Sequence, residues 1–254
     1  MPRTSKHGGP KFISFSGIDG AGKSTQILAL CKRLKERGLR VRLIPFWNEV
    51  ARLTRLREST GHTIFKGDKG IGTPSAPINR RDKNVSSWPM TCLRLFLYFV
   101  DACSARAAMK RARRADADVV VFDRFIYDEL ANLTLSNSVV RAYVRLILAF
   151  VPRPHIGFLL DADPTQARAR KPEYPIEFLR INRQSYLELS ELAGGMTVIA
   201  PQPIEEVKKE ILRHAMKHIS LGAARSESGR GAPFASECDE SANLDGPFTH
   251  PAAT

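Results

Sequence analysis

The sequence predicts an α/β fold, a parallel β-sheet flanked by helices on both faces. Three observations carry that reading. Short β-prone runs alternate with stretches of helical spacing along most of the chain. One run, Val119–Phe122, is continuously apolar and β-branched, the pattern of a strand buried on both faces of a parallel sheet. The first strand also passes directly into a glycine-rich loop and a helix, FISFSGIDGAGKSTQ, Phe12–Gln26.

Phe12–Ser16 is the first strand, and Lys23–Arg37 is helical, with apolar side chains at Ile27, Leu28, Leu30 and Leu34. Gly38 ends that helix, and Arg40–Phe46 alternates basic and apolar residues as a second strand. Val50–Arg57 fits a short helix. The loop 59–87 is rich in Gly, Pro, Lys and Arg without periodicity, the composition of a functional or a disordered segment. Pro89 to about Arg114 reads as a long helix that starts at proline and ends in basic residues, with Phe96, Tyr98 and Phe99 read first as core. Then come a helix at Val139–Val151, a strand at Ile156–Leu160 and a helix start at Pro164–Arg170. An amphipathic stretch at Pro175–Ala193, a short strand at Thr197–Ile199 and a closing helix at Ile204–His218 complete the domain. Residues 11–220 form one domain, after a flexible segment 1–10 and before a Gly-, Ser-, Ala- and Pro-rich tail, 221–254, read as disordered.

At 254 residues, with 43% hydrophobic and 26% charged residues, the chain has the composition of an ordinary globular protein. Its net charge of +13 favours polyanionic partners. Cys31, Cys92, Cys103 and Cys238 show neither CxxC spacing nor companion histidines, so they read as reduced thiols of a cytoplasmic protein. The opening MPRTSKHGG is no secretory signal, and the apolar stretches Leu93–Val100 and Leu146–Val151 are too short to span a bilayer. No basic motif interleaved with aromatics marks nucleic-acid binding, so neither nucleic acid nor membrane is expected as a partner. His155 and His214 lack partners at metal-ligand spacing and read as ordinary histidines.

Gly17-Ile18-Asp19-Gly20-Ala21-Gly22-Lys23-Ser24 fits G-x-x-x-x-G-K-[ST] between a strand and a helix. Glycines let successive amides turn inward around a phosphate, and the following helix adds the positive end of its dipole. Gly17, Gly20, Ala21, Gly22, Lys23, Ser24 and Thr25 are therefore the candidate nucleotide cradle. Lys23 can reach the β- and γ-phosphates, and the Ser24 hydroxyl can ligate Mg²⁺. At the end of the Val119–Phe122 strand, Asp123 is a second candidate for the metal's shell and Arg124 for gripping a phosphate. Arg168, Arg170 and Lys171 precede Pro172-Glu173-Tyr174-Pro175, a pattern that suits either a lid near 168–176 or a solvated basic face.

These residues resemble the thymidylate kinase family of P-loop nucleoside-monophosphate kinases. GIDGAGKSTQ (Gly17–Gln26) is similar to its phosphate loop, and VFDRF (Val121–Phe125) to its Asp-Arg-aromatic motif. LLDADPTQARAR (Leu159–Arg170) resembles the stretch leading into its lid, and VIAPQPIEEV (Val198–Val207) the loop that packs on adenine. The resemblance implies a P-loop NTPase fold of nucleoside-monophosphate kinase type with a short lid, ATP and Mg²⁺ as donor system, and a nucleotide acceptor, dTMP in the first instance. It implies catalytic roles for Lys23, Asp19, Arg124, Arg168 and Arg170, and adenine contacts at Ala200, Pro201 and Gln202. Asp19, Phe99 and Arg124 would meet the acceptor, and a homodimer through the long helix would fit the family's habit.

The acceptor side departs from the pattern. Trp47 and Asn48 stand where the family carries its motif after the second strand, and Cys103 stands where an Arg follows the stacking Phe by four. Asp128 replaces a Ser, and Ala131, Asn132 and Leu133 replace the rest of that motif. Two alternatives therefore stay open at this level: the same chemistry on another phosphorylated or small-molecule acceptor, or a non-catalytic ATP-binding switch.

Overall fold

The structure, a computed structural model, describes residues 9–46 and 88–228. Its five strands are β1 (Lys11–Ser16), β2 (Val41–Pro45), β3 (Val119–Asp123), β4 (Ile156–Leu160) and β5 (Met196–Ile199). Its helices are α1 (Lys23–Glu36), α2 (Trp88–Ala112), α3 (Ile126–Leu130), α4 (Ser138–Phe150), α5 (Pro164–Arg170), α6 (Ile176–Ala193) and α7 (Ile204–Ser228). The strands lie in the order β2-β3-β1-β4-β5, and every pairing is parallel. Parallel neighbours cannot be joined by hairpins, so helical crossovers must cover the sheet.

Side-chain alternation in the central strands divides the core in two. Phe12, Val120, Phe122 and Leu159 face α2, α4 and α6, while Ile13, Phe15, Val119, Val121 and Phe158 face α1 and α7. Because both faces are covered, β3 and β4 are apolar almost throughout, and each fully buried large side chain contributes about 1.5–3 kcal/mol. Local signals set the helix starts. The Asn137 side chain accepts from the amides of Val139 and Val140 to cap α4, and Asp163 accepts from Gln166 with Pro164 in the first turn of α5.

β1 pairs with β3 on one side and with β4 on the other, so the chain reverses its direction of travel across the sheet beside it. Ligand crevices of open α/β sheets form beyond the carboxyl ends of strands at such a point. The loop after β1 lies there.

Three expectations change. α3 was not anticipated, and α7 continues past His218 to Ser228, into the segment read as tail. The core face of α2 is Tyr98, Ala102, Ala105, Ala108, Met109 and Ala112 together with Asp101, while Phe96 is 61% and Phe99 44% exposed. Nearly every side chain from Leu93 to Val100 is apolar, so periodicity could not select the buried face. Among the described residues no helix is long and apolar enough to cross a membrane. The Val50–Arg57 helix, the loop 59–87, residues 1–8, and the tail beyond Ser228 lie outside the described residues, as do Trp47 and Asn48.

Candidate active site

The loop between β1 and α1 turns on three glycines with positive φ, Gly17 (142°), Gly20 (83°) and Gly22 (87°). Positive φ explains only part of the requirement. A Cβ on Gly17 would lie 2.5 Å from the Leu160 carbonyl oxygen, and one on Gly20 would lie 2.2 Å from that of Ala167. The loop is thus clamped between the end of β4 and helix α5. Gly22 begins α1 without a side-chain cap, and no acid occupies the first turn. Ser24 and Thr25 are exposed at that end, beside Ala21.

Lys23 is buried, and its ammonium donates to the carbonyls of Gly17 (2.6 Å) and Ile18 (2.9 Å). Burial and the nearby Arg124 charge lower its pKa to about 8, against the pull of Asp128, Asp19 and Asp123. This is a cation poised for a stronger anionic partner than two carbonyls. An amide-rich helix start with no side-chain cap and no acid in its first turn, beside such a lysine, fits a polyphosphate.

Arg124, just beyond β3, has φ 71°, the only positive value among non-glycine residues described. A left-handed arginine costs on the order of 1–3 kcal/mol and is held by its surroundings. Its Nη2 donates to Asp19 Oδ1 at 2.6 Å, and its Nη1 lies 3.9 Å from Asp128 Oδ1. Burial pushes the Asp19 carboxyl up, but Arg124, Lys23 and Lys171 overrule it and hold the pKa at about 2. Asp128 accepts from Ser16 Oγ (2.8 Å) and the Phe125 amide (3.1 Å) through Oδ2, and from the Tyr186 hydroxyl (2.8 Å) through Oδ1. Burial and Asp128 raise the Tyr186 phenol well above its ordinary pKa, so it stays a donor.

From the other side α5 and α6 close on the loop. Arg170 Nη1 lies 3.9 Å from where a Gly22 Cβ would stand, and its Nε donates to the Gln166 carbonyl at 3.2 Å. Lys171 Nζ lies 3.9 Å from Asp19 Oδ1 and 3.2 Å from Glu173 Oε2. Asp161, after β4, accepts a bidentate pair from Arg183 of α6 at 2.6 and 2.7 Å.

The thymidylate kinase family profile matches residues 83–211, just over half of the chain. The chain belongs to the thymidylate kinase family. The match begins after the phosphate loop, but alignments to individual relatives extend over most of the chain. The chain is 28% identical to the probable thymidylate kinase of Archaeoglobus fulgidus, over 82% of its own length and 96% of that protein's. It is 28% identical to the thymidylate kinase of Symbiobacterium thermophilum (80% and 91%) and 25% identical to the probable thymidylate kinase of Pyrobaculum calidifontis (79% and 93%).

Set against the family's pattern, the structure brings Asp19, Lys23, Arg124 and Arg170 to one loop. Asp123 is half-buried at the end of β3 and Arg168 half-buried on α5. Ala200, Pro201 and Gln202 are exposed between β5 and α7, where Gln202 donates to Glu210 (2.9 Å). Phe99 is not drawn into this cluster: its ring packs 5.9 Å from that of Phe150 on α4. His155 accepts from the Phe12 amide at 2.8 Å and is structural. Sequence reasoning missed Ser16 and Tyr186, and it noticed Asp128 and Lys171 without assigning them to the site. The only available signal was Asp128 itself, an acid where the family pattern has Ser.

The donor set suits Mg²⁺, which needs only one or two protein oxygens when phosphates supply the others. Ser24 Oγ is exposed at the loop, and Asp123 ends the strand beside it. The described residues hold no cluster of three potential ligands that would instead suggest a dedicated protein cage.

Proposed function

We propose that this protein transfers the γ-phosphoryl group of ATP to dTMP, making dTDP, as the family name of its relatives indicates. The observation that carries the reading is the Arg124–Asp19 pair at 2.6 Å beside the buried Lys23, in a family member. An arginine held at the mouth of a phosphate loop has a donor fork ready for the acceptor's phosphate, with Asp19 as the group that the phosphate displaces or shares. Lys23 leaves its two carbonyls for the donor's phosphates. Arg168 and Arg170 neutralise charge that builds on the transferred group, a role worth about 10³–10⁵ in rate for a well-placed arginine. Phosphoryl transfer needs little else from the protein beyond alignment and charge. Ala200, Pro201 and Gln202 would lie against adenine. Ser24 and Asp123 would hold Mg²⁺, which supplies charge neutralisation on the phosphates when bound.

Coupled ATP consumption measured across a panel of nucleoside monophosphates tests the reading. A clear preference for dTMP is expected; equal turnover of all acceptors, or none, would refute it. The same reading treats residues 11–220 as the working domain, the segment near 168–176 as its lid, and the cytoplasm as its site of action. It also includes a homodimer, supported by the exposed apolar side chains Phe96 and Phe99 on α2 and Val139 and Leu146 on α4.

A further inference from the structure

We propose that Asp128 is a positioning residue for phosphoryl transfer: its buried carboxylate, locked by Ser16, Phe125 and Tyr186, holds the Arg124 guanidinium in register with the phosphate loop. The inference rests on the kinase reading above and deepens it at a position where the family pattern carries Ser.

The geometry makes the case. The Asp128 side chain is 1% exposed, and its three hydrogen bonds come from β1, from the start of its own helix and from α6. Ser16 ends β1, immediately before the loop. Phe125 directly follows Arg124, and Tyr186 lies on α6, which follows the lid segment. The carboxylate therefore has no freedom to rotate, and it stands 3.9 Å from Arg124 Nη1. Asp19, the other carboxylate on Arg124, is half-buried on the loop and must compete with an incoming phosphate for the same donors. Asp128 is out of reach of that competition. A fixed buried negative charge also offsets the cost of withdrawing the guanidinium from water, so that its fork stays aimed at the crevice. A serine at this position would supply neither the charge nor the reach to Tyr186. The carboxylate thus ties α6 to the residue that grips the acceptor.

The test compares wild-type protein, Asp128→Asn and Tyr186→Phe, using whichever monophosphate the wild type turns over fastest. Asp128→Asn should lower kcat/KM for the acceptor at least 30-fold, with a smaller loss for ATP, since its charge also faces Lys23. In an Arg124→Lys background the same substitution should cost less than about threefold, since its effect acts through Arg124. Tyr186→Phe keeps the charge and should give a smaller loss of the same kind; it serves where Asp128→Asn does not fold. A readout independent of the acceptor is ¹⁵N relaxation of the Arg124 Nε–H: ordered in the wild type and mobile in Asp128→Asn. Equal order of Arg124 in both proteins, or equal losses in both Arg124 backgrounds, would overturn the proposal. A wild type that phosphorylates a monophosphate other than dTMP would overturn the acceptor assignment and leave this comparison intact.

Discussion

Lys23 is costly to fold, and the proposed phosphoryl transfer is what would call for it. Its ammonium is buried against two carbonyls, and its pKa of about 8 lies below the ordinary 10.5. At neutral pH the unfolded chain binds that proton more tightly, so the charge destabilises the fold by an amount on the order of 3 kcal/mol. The cost is present in full below about pH 8 and is relieved as pH rises from about 8 to 10.5, where only the unfolded chain still holds the proton. Urea titrations across this window should therefore show the wild type gaining stability relative to Lys23→Met; parallel curves would contradict the burial argument. The same variant should fold and lose turnover by at least about 10³, roughly 4 kcal/mol of barrier. Asp19 has the opposite sign. Its carboxyl is depressed to about 2, so its stabilising pairing is complete above about pH 4 and vanishes as pH falls through 2. Asp19→Asn should thus be less stable than the wild type at pH 6 and converge with it below pH 2.

At the scale of elements, the phosphate loop is set by its neighbours as much as by its own glycines. Gly20 meets the Ala167 carbonyl of α5, and Gly17 meets the Leu160 carbonyl at the end of β4. Gly20→Ala combines a positive φ with a 2.2 Å contact to backbone, which no rotamer can relieve. It should push α5 away from the loop, lower Tm by several degrees and cut kcat at least tenfold, as read by calorimetry and steady-state kinetics. An unchanged Tm would show that the loop and α5 are not in contact. Gly22→Ala meets only the Arg170 tip at 3.9 Å, so its cost should come from its φ of 87° alone and be smaller.

At the scale of the molecule, the two faces of the sheet do different work. The α1 and α7 face carries the phosphate loop's helix, while the face of α2, α4 and α6 carries Tyr186, the anchor of Asp128. The latter face also leaves Phe96, Phe99, Val139 and Leu146 exposed. If two chains meet there, Phe96→Glu with Phe99→Glu should shift sedimentation from dimer to monomer without changing far-ultraviolet dichroism. A wild type that sediments as a monomer at micromolar concentration would remove the dimer from the reading.

The sequence by itself determined the fold class, the order of the strands and of the longer helices between them, and the loop's residue pattern, because these follow from local rules. Alternation and helical spacing are short-range, and the Gly17–Ser24 pattern places its glycines, lysine and hydroxyl in one continuous segment. Only the tertiary structure decided which face of α2 is buried, since apolar residues surround that helix along its first half. Only it joined Asp128 to Ser16 and Tyr186, positions 112 and 58 residues away in the chain. A buried charge is recognised by what surrounds it, and for Asp128 the parallel crossovers bring that surrounding from β1 and α6, far from its own place in the chain.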